Sequence, residues 1–199
     1  MSIQEVEMSA AVQHPIGPHT VEDWLALPEP TDGSRTELIY GYFHMSPSPA
    51  GRHQRVVHRL TRQIEDAIWA AGRKDLHVVP GVAVRISSAL RTGLIPDVVV
   101  LDQDPELDAS FPAESMLMAV EVWSPGNTRA EQESKVTAFA SAGVPFVWTV
   151  NQRDRLELTA YRLVQGRYLA QDVLLTGCRA TVEAAPLPIP VDLSGVLGW

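Results

Sequence analysis

Apolar side chains recur every three to four positions between residues 52 and 71, a stretch without proline or glycine. This spacing places them on one face of an amphipathic helix. The face comprises Val56, Val57, Leu60, Ile64, Ala67 and Ile68. Gly72 follows where a glycine commonly ends a helix. A shorter helix is predicted for residues 20–27, and a third for residues 128–142, closed by Gly143.

Runs rich in valine and isoleucine predict the strands of a sheet. They cover residues 76–86, 95–101, 116–123 and 144–150. Two hairpins are predicted as well, at 35–46 and at 156–175. The run MLMAVEVW is apolar except for Glu121, which is typical of a central strand covered on both faces. The order of elements predicts an α/β (α+β) fold, in which one central mixed sheet is flanked by helices, with an N-terminal and a C-terminal hairpin.

The chain length of 199 residues fits one domain. We expect residues 1–19 to be a flexible lead and residues 20–199 to form a single domain. The proline-rich tail from residue 186 is expected to cover an edge of the fold. The first twenty residues lack the basic start and apolar core of a signal peptide, and no apolar run is long enough to span a membrane. With Cys178 as the one cysteine, we expect a cytoplasmic protein without disulfides.

The net charge of −8 argues against a broad nucleic-acid-binding surface, which normally needs a basic face. A local basic cleft remains compatible with it. Four arginines lie along one side of the predicted long helix: Arg52, Arg55, Arg59 and Arg62. They form either an ordinary solvated face or a stripe that faces phosphates.

Two carboxylates stand beside apolar strand segments, Asp97 in PDVVVL and Glu121 in MLMAVEVW. A carboxylate deep in an apolar strand costs several kcal/mol unless it is paired, hydrogen-bonded or bound to a metal. Two acids on neighbouring strands can hold a hard divalent cation such as Mg²⁺ or Mn²⁺. The alternatives are a turn cap for Asp97 and a structural salt bridge for Glu121.

Other candidate residues have two interpretations each. Lys135 lies four residues after Glu131 and is either a surface ion pair or a cation that aligns an attacking water. Glu37 is either a further acid of the site or an exposed strand residue. His53, at the start of the long helix, either contacts phosphate or satisfies a loop carbonyl. Ser124 lies outside any GxSxG elbow, and the chain has neither an HExxH nor a GxxxxGK[ST] motif.

Six segments in order resemble the Uma-two family, whose members are described as putative restriction endonucleases, within the PD-(D/E)XK nuclease superfamily. These segments are TELIYG at 36–41, RHQRVVHRL at 52–60, PDVVVL at 96–101, AVEVWSPG at 119–126, Glu131 with Lys135, and AGVPFVW at 142–148. The resemblance runs from about residue 20 to residue 197. It implies a restriction-endonuclease-like core of helix, three strands, helix and strand.

The resemblance also implies the site. Asp97 and Glu121 become the metal-binding acids, with the carbonyl of Val122 as a further ligand and Glu37 as an additional acid. The superfamily usually carries a lysine two residues after the second acid, where this chain has Trp123, so the resemblance points to Lys135 on the following helix.

Arg52, His53 and Ser124 are candidate substrate contacts. The chain departs from the family at three positions near the site, Phe139, Val147 and Asn151.

The resemblance predicts an endonuclease that hydrolyses DNA phosphodiester bonds with Mg²⁺ or Mn²⁺. A homodimer is expected, because cutting both strands of a duplex suits two-fold symmetry. The alternative is a catalytically weak or inactive module that keeps the nuclease fold and binds nucleic acid or a protein partner. The acidic balance and the displaced lysine favour that alternative.

Overall fold

The computed structural model describes residues 17–105, 109–153, 155–194 and 196. Within them lie the helices α1 (Val21–Leu25), α2 (Gly51–Ala70) and α3 (Arg129–Ser141), and a 3-10 helix at Ala113–Ser115. The strands are β1 (Arg35–Ile39), β2 (Tyr42–Ser46), β3 (His77–Pro80), β4 (Ala83–Ser87), β5 (Thr92–Leu94), β6 (Val98–Leu101), β7 (Ser110–Pro112), β8 (Met116–Trp123), β9 (Phe146–Asn151), β10 (Glu157–Val164), β11 (Arg167–Leu175), β12 (Arg179–Val182) and β13 (Ile189–Asp192).

The centre of the fold is a six-stranded sheet in the order β11-β10-β9-β8-β6-β3. Strands β8 and β9 run parallel, and the other neighbours are antiparallel. Helix α2 packs on one face, where Leu60 and Ile64 join a core with Val98 and Val120. Helix α3 covers the other face, where Phe139 lies in a core with Ala119 and Val99. The predicted mixed sheet flanked by helices is therefore confirmed.

A second sheet, which the sequence did not indicate, has the order β2-β1-β5-β4-β7. The predicted strand at 76–86 divides at Gly81 into β3 of the central sheet and β4 of the second sheet. Gly81 has φ +64, a left-handed conformation that glycine adopts without the steric penalty of a side chain. The prediction of one sheet was wrong for this reason, and the N-terminal hairpin β1–β2 belongs to the second sheet.

The proline-rich tail forms a two-stranded sheet, in which β13 pairs with β12. Its apolar side chains extend the α2 core, with Ile189 and Val191 fully or almost fully buried. Gln63 of α2 fastens β13, because its Oε1 accepts a hydrogen bond of 2.6 Å from the N–H of Asp192. The tail thus packs against the flank of α2.

Local signals in the sequence mostly match the structure. Thr20 and Asp23 form a reciprocal capping box at the start of α1. Strand β8 has the predicted bounds, and the C-terminal hairpin β10–β11 forms as expected. The first sixteen residues of the predicted lead, 1–19, lie outside the described residues. Across the described parts of the chain, no helix combines the length and the apolar character that crossing a membrane requires.

Candidate active site

Asp97 lies one residue before β6, beside β8, and its carboxylate accepts three hydrogen bonds. Oδ1 is 2.9 Å from Nη1 of Arg35 and 2.9 Å from Nε2 of His53. Oδ2 accepts the backbone N–H of Val122 at 2.8 Å. Burial raises the pKa of Asp97, but His53, the N–H of Val122 and Lys135 together outweigh it, so the pKa lies below its ordinary value. Asp97 is therefore a buried, ionised carboxylate.

Glu121 points from β8 toward α3, on the opposite side from its neighbours Val120 and Val122, because side chains alternate along a strand. Lys135 of α3 meets it there, with Nζ 2.9 Å from both Oε1 and Oε2. The hydrogen bond is made to Oε2. Among the described residues, the buried Oε1 has no hydrogen-bond partner. One oxygen of Glu121 therefore has only electrostatic contact with its neighbour.

Glu37 brings the second sheet to the same lysine. Its Oε1 is 3.0 Å from Nζ of Lys135 and accepts the N–H of Ile95 at 2.7 Å. Glu37, Glu121 and Lys135 are each at most 7% exposed in their side chains. The interpretation of Lys135 as a surface ion pair is thus wrong. Glu131, four residues earlier on α3, instead accepts a hydrogen bond from Nδ2 of Asn127.

The pKa values of this buried cluster are strongly perturbed. Burial raises the pKa of Glu121 to about 8; Lys135 opposes the shift, whereas Glu37 and Asp97 reinforce it. Burial lowers the pKa of Lys135, but Glu121 and Glu37 more than compensate, so that it is raised and the ammonium keeps its proton. The ammonium of Lys135 is thus shared by two carboxyl groups, those of Glu37 and Glu121.

These side chains open into one cavity of about 340 Å³. The lining includes Arg35, Glu37, His53, Asp97, Glu121 and Lys135, the segment 45–50, and the turn 122–127. Oγ of Ser124 lies 3.3 Å from Nδ1 of His53. The backbone N–H of Ser124 donates to Oδ1 of Asn127 at 2.8 Å, which fixes the turn at the cavity wall.

Most of the predicted site residues therefore meet. Val122 contributes its N–H to Asp97, and since a strand residue presents its N–H and C=O to the same side, its carbonyl faces that side as well. The structure places Arg52 apart from them: it is exposed on the first turn of α2 and is not part of the described cavity lining.

Among the cavity residues that were not identified from the sequence, Arg35 and Trp123 contact the buried charged groups. Arg35 contacts Asp97 across the two sheets, and the ring of Trp123 lies 5.8 Å from Nζ of Lys135. A signal for Arg35 existed, because it stands two residues before Glu37 on a strand, and side chains two residues apart share a face.

The donor set fits a hard divalent cation. In the described parts of the chain, no three His, Cys, Asp or Glu side chains form a ready metal cluster. Mg²⁺, however, is commonly held by one or two carboxylates together with water and substrate phosphates. Asp97, Oε1 of Glu121, which accepts no hydrogen bond from the described residues, and the Val122 carbonyl are oxygen donors of this kind.

Comparisons with known proteins show the family and the fold of the chain. The family model described as "Uma2: Putative restriction endonuclease" matches residues 21–191. The fold is similar to the crystal structure of "a putative nuclease belonging to DUF820" from Anabaena variabilis ATCC 29413, with a TM-score of 0.66 and 17% identity over 90% of this chain and 98% of that chain. No curated protein matches the chain. Because the family model spans most of the sequence, the chain belongs to the Uma2 family of putative restriction endonucleases.

Proposed function

We propose that this protein is an endonuclease that hydrolyses phosphodiester bonds of DNA with the help of Mg²⁺ or Mn²⁺. The observation that supports it is the meeting of Asp97, Glu121 and Lys135, three buried titratable groups from a strand end, a strand and a helix, in one open cavity. Strongly perturbed pKa values, such as that of Glu121, concentrate at functional sites. Membership of the Uma2 family supports the same reaction class.

Each residue has a distinct role in this proposal. Asp97, Glu121 and the carbonyl of Val122 would hold the cation, which when bound would activate a water and stabilise the leaving oxygen. Lys135 would orient the nucleophile and offset the negative charge that develops on the phosphate. Glu37 fixes the Lys135 ammonium through a 3.0 Å contact, and so determines where that charge is presented.

His53 and Ser124 form the wall of the cavity nearest to Asp97. Nε2 of His53 donates to Asp97, because an ionised carboxylate only accepts, and Nδ1 faces Oγ of Ser124. The imidazole therefore fixes the rotamer of Asp97, while the Ser124 hydroxyl is placed to contact a substrate phosphate. Arg52 lies outside the cavity, and its role would be to contact DNA away from the scissile bond.

Replacing Asp97 with asparagine is expected to reduce plasmid cleavage at least about a hundredfold, because loss of a cation-binding carboxylate removes several kcal/mol of transition-state stabilisation. The measurement is the nicking of supercoiled plasmid in Mg²⁺ or Mn²⁺ at equal protein concentration. The matched control is Asp66→Asn, which changes an exposed aspartate of α2 that pairs with Arg62. Equal nicking by wild type and Asp97→Asn would indicate a contaminating nuclease and reject the assignment.

A second candidate is a non-catalytic module that binds nucleic acid or a protein partner. The observation in its favour is the extent of internal pairing, since Lys135 bridges two acids and Asp97 already accepts three hydrogen bonds. Titration calorimetry with Mn²⁺ separates the two functions. Binding that disappears in Asp97→Asn supports the enzyme, and no binding by the wild type supports the module.

The proposal includes a homodimer and a cytoplasmic location. Two identical sites related by a two-fold axis would suit the two antiparallel strands of a duplex. Sedimentation equilibrium tests the assembly, and a mass equal to that of the 21.8 kDa chain at micromolar concentration would reject it.

A further inference from the structure

Arg35 differs from the other charged residues around Asp97 in its access to solvent. Its Nη1 lies 2.9 Å from Oδ1 of Asp97, yet its side chain is 28% exposed, against 6% for Asp97 and 8% for His53. The guanidinium has five N–H donors. Within the described parts of the chain, the guanidinium donates one hydrogen bond, to Asp97. Most of its donor capacity therefore faces the cavity and the solvent.

The guanidinium lies between Gly81 and the open cavity. A Cβ at Gly81 would lie only 3.2 Å from Nη2 of Arg35, so the space open to the side chain is on the cavity side. The rotamer of Asp97 does not depend on Arg35, because His53 and the N–H of Val122 would still hold the two carboxylate oxygens. Arg35 can leave without disturbing the acid.

A divalent cation and Arg35 compete for Asp97. Three hydrogen bonds already use most of the roughly four lone-pair directions of a carboxylate. A divalent cation bound to the same carboxylate would also repel the guanidinium at short range. Lys135 cannot leave the site in the same way, because it is buried between Glu37 and Glu121. Arg35 is the cation that can be released into the cavity.

We propose that Arg35 is a phosphate-binding residue that pairs with Asp97 in the free protein and transfers to the substrate phosphodiester when a divalent cation takes up the carboxylate. This inference rests on the proposed nuclease function. A guanidinium suits the new role, because its planar fork matches two phosphate oxygens and it keeps its charge at any physiological pH. Arg35 thereby weakens metal binding when the substrate is absent and favours metal binding when the substrate is present.

Arg35→Gln separates the two roles of the side chain. Without the competing charge, the dissociation constant for Mn²⁺ measured by calorimetry in the absence of DNA should fall about tenfold, whereas KM for an oligonucleotide substrate should rise about tenfold or more, since a charge-assisted phosphate contact is lost. Arg35→Lys keeps the charge without the fork, and should restore the Mn²⁺ affinity of the wild type while recovering only part of KM. Arg73→Gln, which changes an exposed arginine that pairs with Asp75 away from the cavity, is the matched control.

The outcomes distinguish this inference from the function on which it rests. A wild type that neither binds Mn²⁺ nor cleaves DNA overturns both. A wild type that does both, with an Arg35→Gln variant of unchanged Mn²⁺ affinity and KM, overturns the role of Arg35 alone. A structural role is indicated instead if Arg35→Gln and Arg35→Lys both lower the melting temperature and weaken Mn²⁺ binding, and that result also rejects the proposal.

Discussion

Lys135→Met is expected to lower the free energy of unfolding by about 3–5 kcal/mol, because removing one partner of a buried ion pair leaves an uncompensated buried charge. Removing the Lys135 ammonium leaves Glu37 and Glu121 without the cation between them, since Nζ lies 3.0 Å from Glu37 and 2.9 Å from Glu121. Methionine fills a similar volume, so packing changes little. Urea unfolding at pH 8 measures the effect, and DNA cleavage should fall at least about a hundredfold.

The pH dependence of the Lys135→Met variant tests the cause of its instability. Lys135 opposes the raised pKa of Glu121, so without it this pKa should rise further. The stability that the variant loses relative to the wild type should then be largest above pH 8, and should shrink as the pH falls through the raised pKa and Glu121 takes up a proton. The double variant Lys135→Met/Glu121→Gln should lose less stability than the sum of the single changes.

The control for Lys135 is the other lysine of the chain, Lys74, which is exposed. Lys74→Met should change the free energy of unfolding by no more than about 0.5 kcal/mol, as for a surface substitution. Equal effects at the two positions would mean that the ion pairs of Lys135 contribute no more than surface contacts, and would contradict the geometry.

The sequence was most informative where the pattern is local or where burial conflicts with chemistry. The apolar periodicity of α2 and the uniformly apolar β8 follow from rules that involve only neighbouring positions. Glu121 was conspicuous because an acid in such a strand needs a partner. The sequence placed the strands of Asp97 and Glu121 side by side, which predicted that the two acids lie close together. Strands β6 and β8 are indeed neighbours.

The remaining features depend on long-range geometry. The separation of β3 from β4 results from a backbone conformation at Gly81, which residue type alone does not determine. Glu37 and Lys135 are almost a hundred positions apart in the sequence, and they lie on β1 of the second sheet and on α3. The resemblance suggested that both belong to the site. Their contact, like that of Arg35 with Asp97, depends on how the second sheet packs against the first, which the sequence did not indicate.

Glu121→Gln is expected to abolish cleavage and yet to stabilise the protein at pH 8. The pKa of this carboxyl rises from an ordinary value of 4.5 to about 8 on folding, so the folded state binds its proton more tightly than the unfolded state does. Its favourable contribution is complete below pH 4.5 and is lost as the pH rises toward 8. Within that window the wild type should lose up to about 1.4 kcal/mol per pH unit through this group. Glutamine is neutral throughout and avoids this loss.

Free energies of unfolding from urea titrations at several values between pH 5 and pH 8.5 test this directly. The difference between the two curves reports the effect of the Glu121 carboxyl; Glu133→Gln, an exposed change on α3, should follow the wild type. If Glu121→Gln is instead less stable by a constant amount at every pH, the carboxylate is an ordinary partner of Lys135 and contributes to the fold. A difference that grows with pH, together with lost cleavage, would indicate a carboxylate that is retained for its chemistry although it lowers stability. Functional sites retain charge arrangements that folding alone would disfavour.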